Sequence, residues 1–169
     1  MKRLLLIILF VSLAMQGFAR TGEKTVSKTG VMFAISECRN YEGVELVNLG
    51  RISTYALKQT IRFAAKDDPD AREALDLMKG IRRITVMDYE DCPAPVRARI
   101  SRRLDKALSG SELLMEASDG GDKVRMYGLM DEKTGAIKDF VLFCPSDYSL
   151  ICIFGSISMD AVAKLASDD

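Results

Sequence analysis

Residues 112–157 read ELLMEASDGGDKVRMYGLMDEKTGAIKDFVLFCPSDYSLICIFGSI, and the alternation within them decides the fold. Leu113, Met115 and Ala117 alternate with Leu114, Glu116 and Ser118, and Val124, Met126 and Met130 alternate with Arg125, Tyr127 and Leu129. A period of two gives a strand one wetter face. Asp119-Gly120-Gly121-Asp122 lies between the two runs, and its glycines permit the positive backbone dihedrals of a tight hairpin. Asp131-Glu132-Lys133-Thr134-Gly135 reads as a second hairpin. Segments 137–144 and 150–155 are apolar on both sides apart from Lys138 and Asp139, which suits central strands covered on both faces, with Pro145-Ser146-Asp147-Tyr148 turning between them. Ser158 then caps a terminal helix whose apolar stripe is Met159, Val162, Leu165 and Ala166.

The run Ser118-Asp119-Gly120-Gly121-Asp122-Lys123-Val124-Arg125-Met126-Tyr127, segment 135–143, and Leu150-Ile151-Cys152-Ile153-Phe154-Gly155-Ser156-Ile157-Ser158-Met159-Asp160 with Lys164-Leu165 are similar to the family catalogued as domain of unknown function 4252. The resemblance covers most of the chain after its leader and is best after about Gly110. It implies a small exported domain, mostly of the Bacteroidetes group and often a lipoprotein, with no established activity. It supplies no catalytic residues.

Upstream, Val31, Ile35, Cys38 and Tyr41 recur at steps of three and four, which we read as a helix ended by Gly43, although Val31, Phe33 and Ile35 also alternate as on a strand. Residues 44–49 alternate as a strand. A second helix from about Ser53 carries Leu57, Ile61 and Ala64 or Ala65 on one face and Lys58, Arg62 and Lys66 on another. Asp68-Pro69 marks the start of a third, because proline at the first helical position loses no needed N–H and aspartate caps. Residues 81–89 form the next strand, and Cys92-Pro93-Ala94-Pro95 opens a helix with the stripe Val96, Ile100, Leu104 and Leu108. The expected fold is therefore α+β: a mixed, mainly antiparallel sheet with a C-terminal four-strand meander and helices mainly on one face.

Lys2 and Arg3 precede an apolar run from Leu4 to Met15, and Gly17-Phe18-Ala19 has the small residues a signal peptidase reads. The run is shorter than the roughly 20 residues a membrane span needs. We expect a type I signal peptide over 1–19 cleaved after Ala19, a flexible lead-in over 20–30, and a single α+β domain over 31–169, with no transmembrane span after cleavage. No cysteine follows the cleavage site; the first is Cys38. This favours a soluble periplasmic or secreted product over a lipid-anchored one. Loss of Lys2 and Arg3 leaves 22 basic residues against 24 acidic, a formal charge of −2, which gives no general pull toward nucleic acid.

The chain contains no histidine and no tryptophan. The first absence removes Ser-His-Asp and Cys-His catalysis and histidine zinc ligation. No phosphate loop, Rossmann glycine pattern or Cys-x-x-Cys occurs, so no cofactor or metal is expected. Asp67, Asp68 and Asp70 lack the spacing of a calcium loop and suit helix capping. Of the four cysteines, Cys144 and Cys152 read as core thiols, because the turn between their strands sets Cys144 opposite Ser149. Cys38 with Cys92 is the better candidate for a disulfide in an oxidising compartment. Cys92 sits at a helix start that lowers a thiol pKa, but Asp88, Glu90 and Asp91 oppose the thiolate, which favours a structural role.

Arg97, Arg99, Arg102 and Arg103, with Lys106, form the polar side of one helix. This is either a solvated face or a partner-binding face. The expected function is an exported, non-catalytic envelope protein, an interaction or accessory module whose partner is an unknown envelope protein. The alternative is a carrier of small apolar ligands or lipid, with a pocket between helices and sheet lined in part by Met115, Met126 and Met130.

Overall fold

A computed structural model of the chain describes residues 25–66, 68–119 and 122–158. Its elements are α1 (Lys28–Cys38), β1 (Glu45–Leu49), α2 (Arg51–Ala64), α3 (Pro69–Met78), β2 (Ile81–Asp88), α4 (Ala94–Leu108), β3 (Leu113–Asp119), β4 (Asp122–Asp131), β5 (Ala136–Cys144) and β6 (Ser149–Ser158). The strands form one sheet in the order β1-β2-β6-β5-β4-β3, and all five pairings are antiparallel. The protein is an α+β domain with a C-terminal meander. The signal peptide over 1–19 and the terminal helix expected after Ser158 lie outside the described residues. Val26 is already buried and Ser27 Oγ accepts the Gly30 N–H to cap α1, so residues 26–30, expected within the lead-in, belong to the domain.

The turns follow their residues. Asp119 and Asp122 are register partners, as a two-residue hairpin requires. In the second hairpin Asp131 Oδ1 accepts the N–H groups of Lys133 and Thr134, and Gly135 takes φ +62°. Cys144 pairs with Ser149.

Register explains the two faces. Leu46, Met87, Leu150, Phe143, Arg125 and Glu116 form one row across all six strands, and Val47, Val86, Ile151, Leu142, Met126 and Met115 form the next, on the opposite face. The first face is the floor for α1 and α4. Val31, Ala34, Ile35 and Cys38 of α1 and Ile100, Leu104 and Leu108 of α4 pack there on Met87, Tyr89, Val141, Phe143, Leu150, Cys152 and Phe154. Each of the valine, leucine, isoleucine, methionine and phenylalanine side chains among them contributes about 1.5–3 kcal/mol on burial. The second face holds a smaller cluster of Leu114, Val124, Met126, Ile137, Leu142 and Cys144, against which Met115 and Met130 pack. Helices α2 and α3 belong to neither cluster. They pack on each other and connect β1 to β2.

One sheet irregularity ties several elements together. Asp139 has φ +54° at a bulge in β5, and its Oδ1 accepts the Gly155 N–H at 3.0 Å and pairs with Lys28 Nζ at 3.0 Å. Gly155, at φ +127°, comes so close to Gly80 that a Cβ there would lie 2.2 Å from the Gly80 carbonyl oxygen. Only glycine fits that contact.

Candidate docking face

Helix α2 begins at Gly50, which has no side chain to cap it; Thr54 instead donates its N–H to Gly50 O and its hydroxyl to Leu49 O. Lys58 Nζ donates to the carbonyls of Ile81 at 2.6 Å and Lys79 at 3.1 Å, fixing the helix to the start of β2. Burial, with Arg82 close by, lowers the Lys58 pKa. At the other end Arg72 donates to Ala65 O and Lys66 O, satisfying carbonyls that the helix leaves free. Polar contacts therefore do much of the fastening. Thr54 is the one buried residue among those of α2, and Leu57 and Ile61 are half-buried.

The opposite side of α2 is apolar and wet. Ile52 is 86% exposed, Phe63 70% and Tyr55 64%. At 100° per residue, Ile52, Ala56, Gln59 and Phe63 form a line directly opposite Thr54 and Ile61, and Tyr55 flanks it. Arg51, Arg62 and Lys66 are exposed on the Tyr55 side, and Lys66 Nζ stands 5.5 Å from the Phe63 ring centre. Residues 51–66 contain no aspartate or glutamate. An open depression beside Tyr55 is lined by Arg51, Thr54, Tyr55, Lys58, Ile81 and Arg82, again without a carboxylate. No helix among the described residues is long and apolar enough to cross a membrane.

The arginines singled out on α4 separate. Arg97 lies on the core-facing side, three residues before Ile100, with its guanidinium 4.3 Å from the Tyr148 ring centre and a hydrogen bond to Glu90 O. Arg103 pairs with Glu37 of α1 at 3.4 Å. Arg102 is exposed and folds back to Ala98 O, and Arg99 is exposed. Arg99 and Arg102 thus share the outer face, whereas Arg97 fastens the helix start and Arg103 pins two helices together.

All four cysteines are free and buried. The Cys38–Cys92 bridge considered from sequence is not formed, although both thiols lie in the cluster beneath α1 and α4. Arg103 lowers the Cys38 pKa, but burial outweighs it. Burial raises the pKa of both thiols, and for Cys92 it outweighs the lowering influence of Arg97. Met126 is core, and Met115 and Met130 pack at the margin of its cluster.

Fold and surface together define a small α+β domain with one helix presenting an apolar, cation-flanked ridge to solvent. The chain belongs to the family described as domain of unknown function (DUF4252), whose model matches residues 43–165. No curated protein and no solved structure matches it.

Proposed function

We propose that this chain is an exported, non-catalytic accessory module of the cell envelope that works by contact, with α2 as the contact surface. The observation that carries the reading is the exposure of Ile52, Tyr55 and Phe63 along one helix, where each loses favourable burial unless something covers it. The chemistry of the chain supports a role without turnover: it has no histidine, and burial raises the pKa of all four thiols. The outer face of α4 is the weaker surface, because it presents charge with no apolar anchor beside it. Replacing Ile52, Phe63 or Arg102 in turn by a photo-crosslinking amino acid, in cells that make the protein, tests the choice. Adducts are expected in the envelope fraction from positions 52 and 63 and not from 102. Adducts from 102 alone, or from none of the three, overturn it.

A further inference from the structure

We propose that the surface α2 docks on is a bilayer leaflet rich in anionic phospholipid. This rests on α2 being the contact surface and goes further by naming what covers it. Helices that lie in the membrane–water interface pair a narrow apolar line, set just below the headgroups, with lysine and arginine beside it and aromatic rings at the boundary. Ile52, Ala56 and Phe63 supply the line, Tyr55 stands on its border with a polar tip, and Arg51, Arg62 and Lys66 follow on the Tyr55 flank.

The charge argument is local. The chain has 24 basic and 24 acidic residues, yet residues 51–66 carry four cations and no anion. The helix dipole favours Arg62 in the last turn, but it disfavours Arg51 in the first turn, which holds no acid to offset it. Among the described residues, Arg51, Arg62 and Lys66 make no ion pair. Their charge is available to lipid phosphates. The depression beside Tyr55 offers a seat for one headgroup phosphate, since Arg51 and Arg82 line it with no carboxylate to repel the anion.

Shape separates a bilayer from a protein partner. The apolar line runs along the crest of one helix of 14 residues, about 21 Å long, and a convex ridge needs a matching groove in a protein but none in a fluid leaflet. A single short helix gives reversible attachment that depends on lipid charge, in contrast to a spanning anchor.

Because the chain has no tryptophan, Phe63→Trp introduces a single reporter. The protein, purified in the form the cell accumulates, is mixed with vesicles of phosphatidylcholine alone or of phosphatidylglycerol and phosphatidylcholine in equal parts. A blue shift and co-sedimentation are expected with the anionic vesicles and not with the neutral ones, weakening as salt is raised. Arg62→Gln and Lys66→Gln each lower the affinity about five-fold. Ile52→Asp with Phe63→Asp abolishes binding while leaving the thermal unfolding midpoint close to that of the parent, since both side chains are exposed. Equal binding to both vesicle types, binding that survives the double aspartate change, or no binding overturns the lipid assignment. So does a reporter already blue-shifted in a dimer without vesicles, which identifies a second copy as the cover. If the photo-adducts from 52 and 63 are protein and vesicles are ignored, lipid is wrong and α2 remains the contact surface. If adducts and vesicle binding are both missing, both readings fall.

Discussion

Helices α4 and α2 have nearly the same length, 15 and 14 residues, and both set cations near apolar side chains, yet they relate to solvent in opposite ways. In α4 the largest apolar residues are the buried ones, Ile100, Leu104 and Leu108. Its outer cations are partly tied down, through Arg103 to Glu37, and Asp105 pairs with Arg125 of β4. In α2 the buried side offers a threonine and half-buried aliphatics, and the bulkiest apolar residues point outward. One helix is held by what it buries. The other is held largely by hydrogen bonds from Thr54, Lys58 and Arg72, which leaves its hydrophobic surface free for something outside the domain.

The sharpest way to break this contrast is a pair of truncations. Leu104→Ala should cost about 2–5 kcal/mol, as deletion of a fully buried leucine does, whereas Ile52→Ala should change stability by less than about 0.5 kcal/mol. Denaturant titration of the two variants measures both, and comparable losses would mean that α2 is also a core element. A smaller effect should follow from pH on the α4 side. Burial pushes the Tyr89 phenol up to about 12 against an ordinary value near 10, although its hydrogen bond to Ser101 Oγ at 3.0 Å opposes the rise. A raised folded-state pKa means the unfolded chain gives up this proton first. The contribution is therefore complete below about pH 10 and is lost as pH climbs toward 12. Cys152, also pushed up to about 12, adds to the fall from the ordinary thiol range upward. The denaturation midpoint should drop across that window, and Tyr89→Phe should flatten part of the drop. The smallest expected effect separates the α4 arginines: Arg103→Gln should lower stability by about 0.5–1 kcal/mol through loss of the Glu37 pair, with Arg99→Gln indistinguishable from the parent by thermal unfolding.

The sheet was readable because its signals are local. The pairing of Asp119 with Asp122, the turn from Asp131 to Gly135, alternation in β3 and β4, and the Asp68-Pro69 start of α3 each have a short-range cause, and the structure places each as expected; Asp68 Oδ1 accepts the Asp70 and Ala71 N–H groups. The face of α2 that meets the domain was readable through Leu57, Ile61 and Ala65, but the second apolar stripe, which stays exposed, was not. Leu57, Ile61 and Ala65 on one side and Ile52, Tyr55 and Phe63 on the other both recur at helical spacing, and period alone does not say which stripe meets the domain. The pertinent signal was the absence of acids over residues 51–66, which marks a helix not stabilised by its own ion pairs. Arg97 shows the converse. Its position three residues before Ile100 and seven before Leu104 places it on the buried side, and charge drew attention away from that spacing. The bulge at Asp139 had no local signal, since it exists to meet Gly155 and Lys28 from distant parts of the chain.

The position of β6 between β2 and β5 governs the order in which the domain can assemble. Ile81 meets Gly155 and Met87 meets Leu150, so the central seam joins segments separated by about half of the domain, and closing it carries the entropy of a long loop. Helices α1 and α4 pack on Leu150, Cys152 and Phe154, side chains of the last described strand. A polypeptide emerging from the ribosome N-terminus first therefore exposes Val31, Ile35, Ile100 and Leu104 with half of their floor still unmade. The floor for α1 and α4 is complete only once β6 has taken its place between β2 and β5.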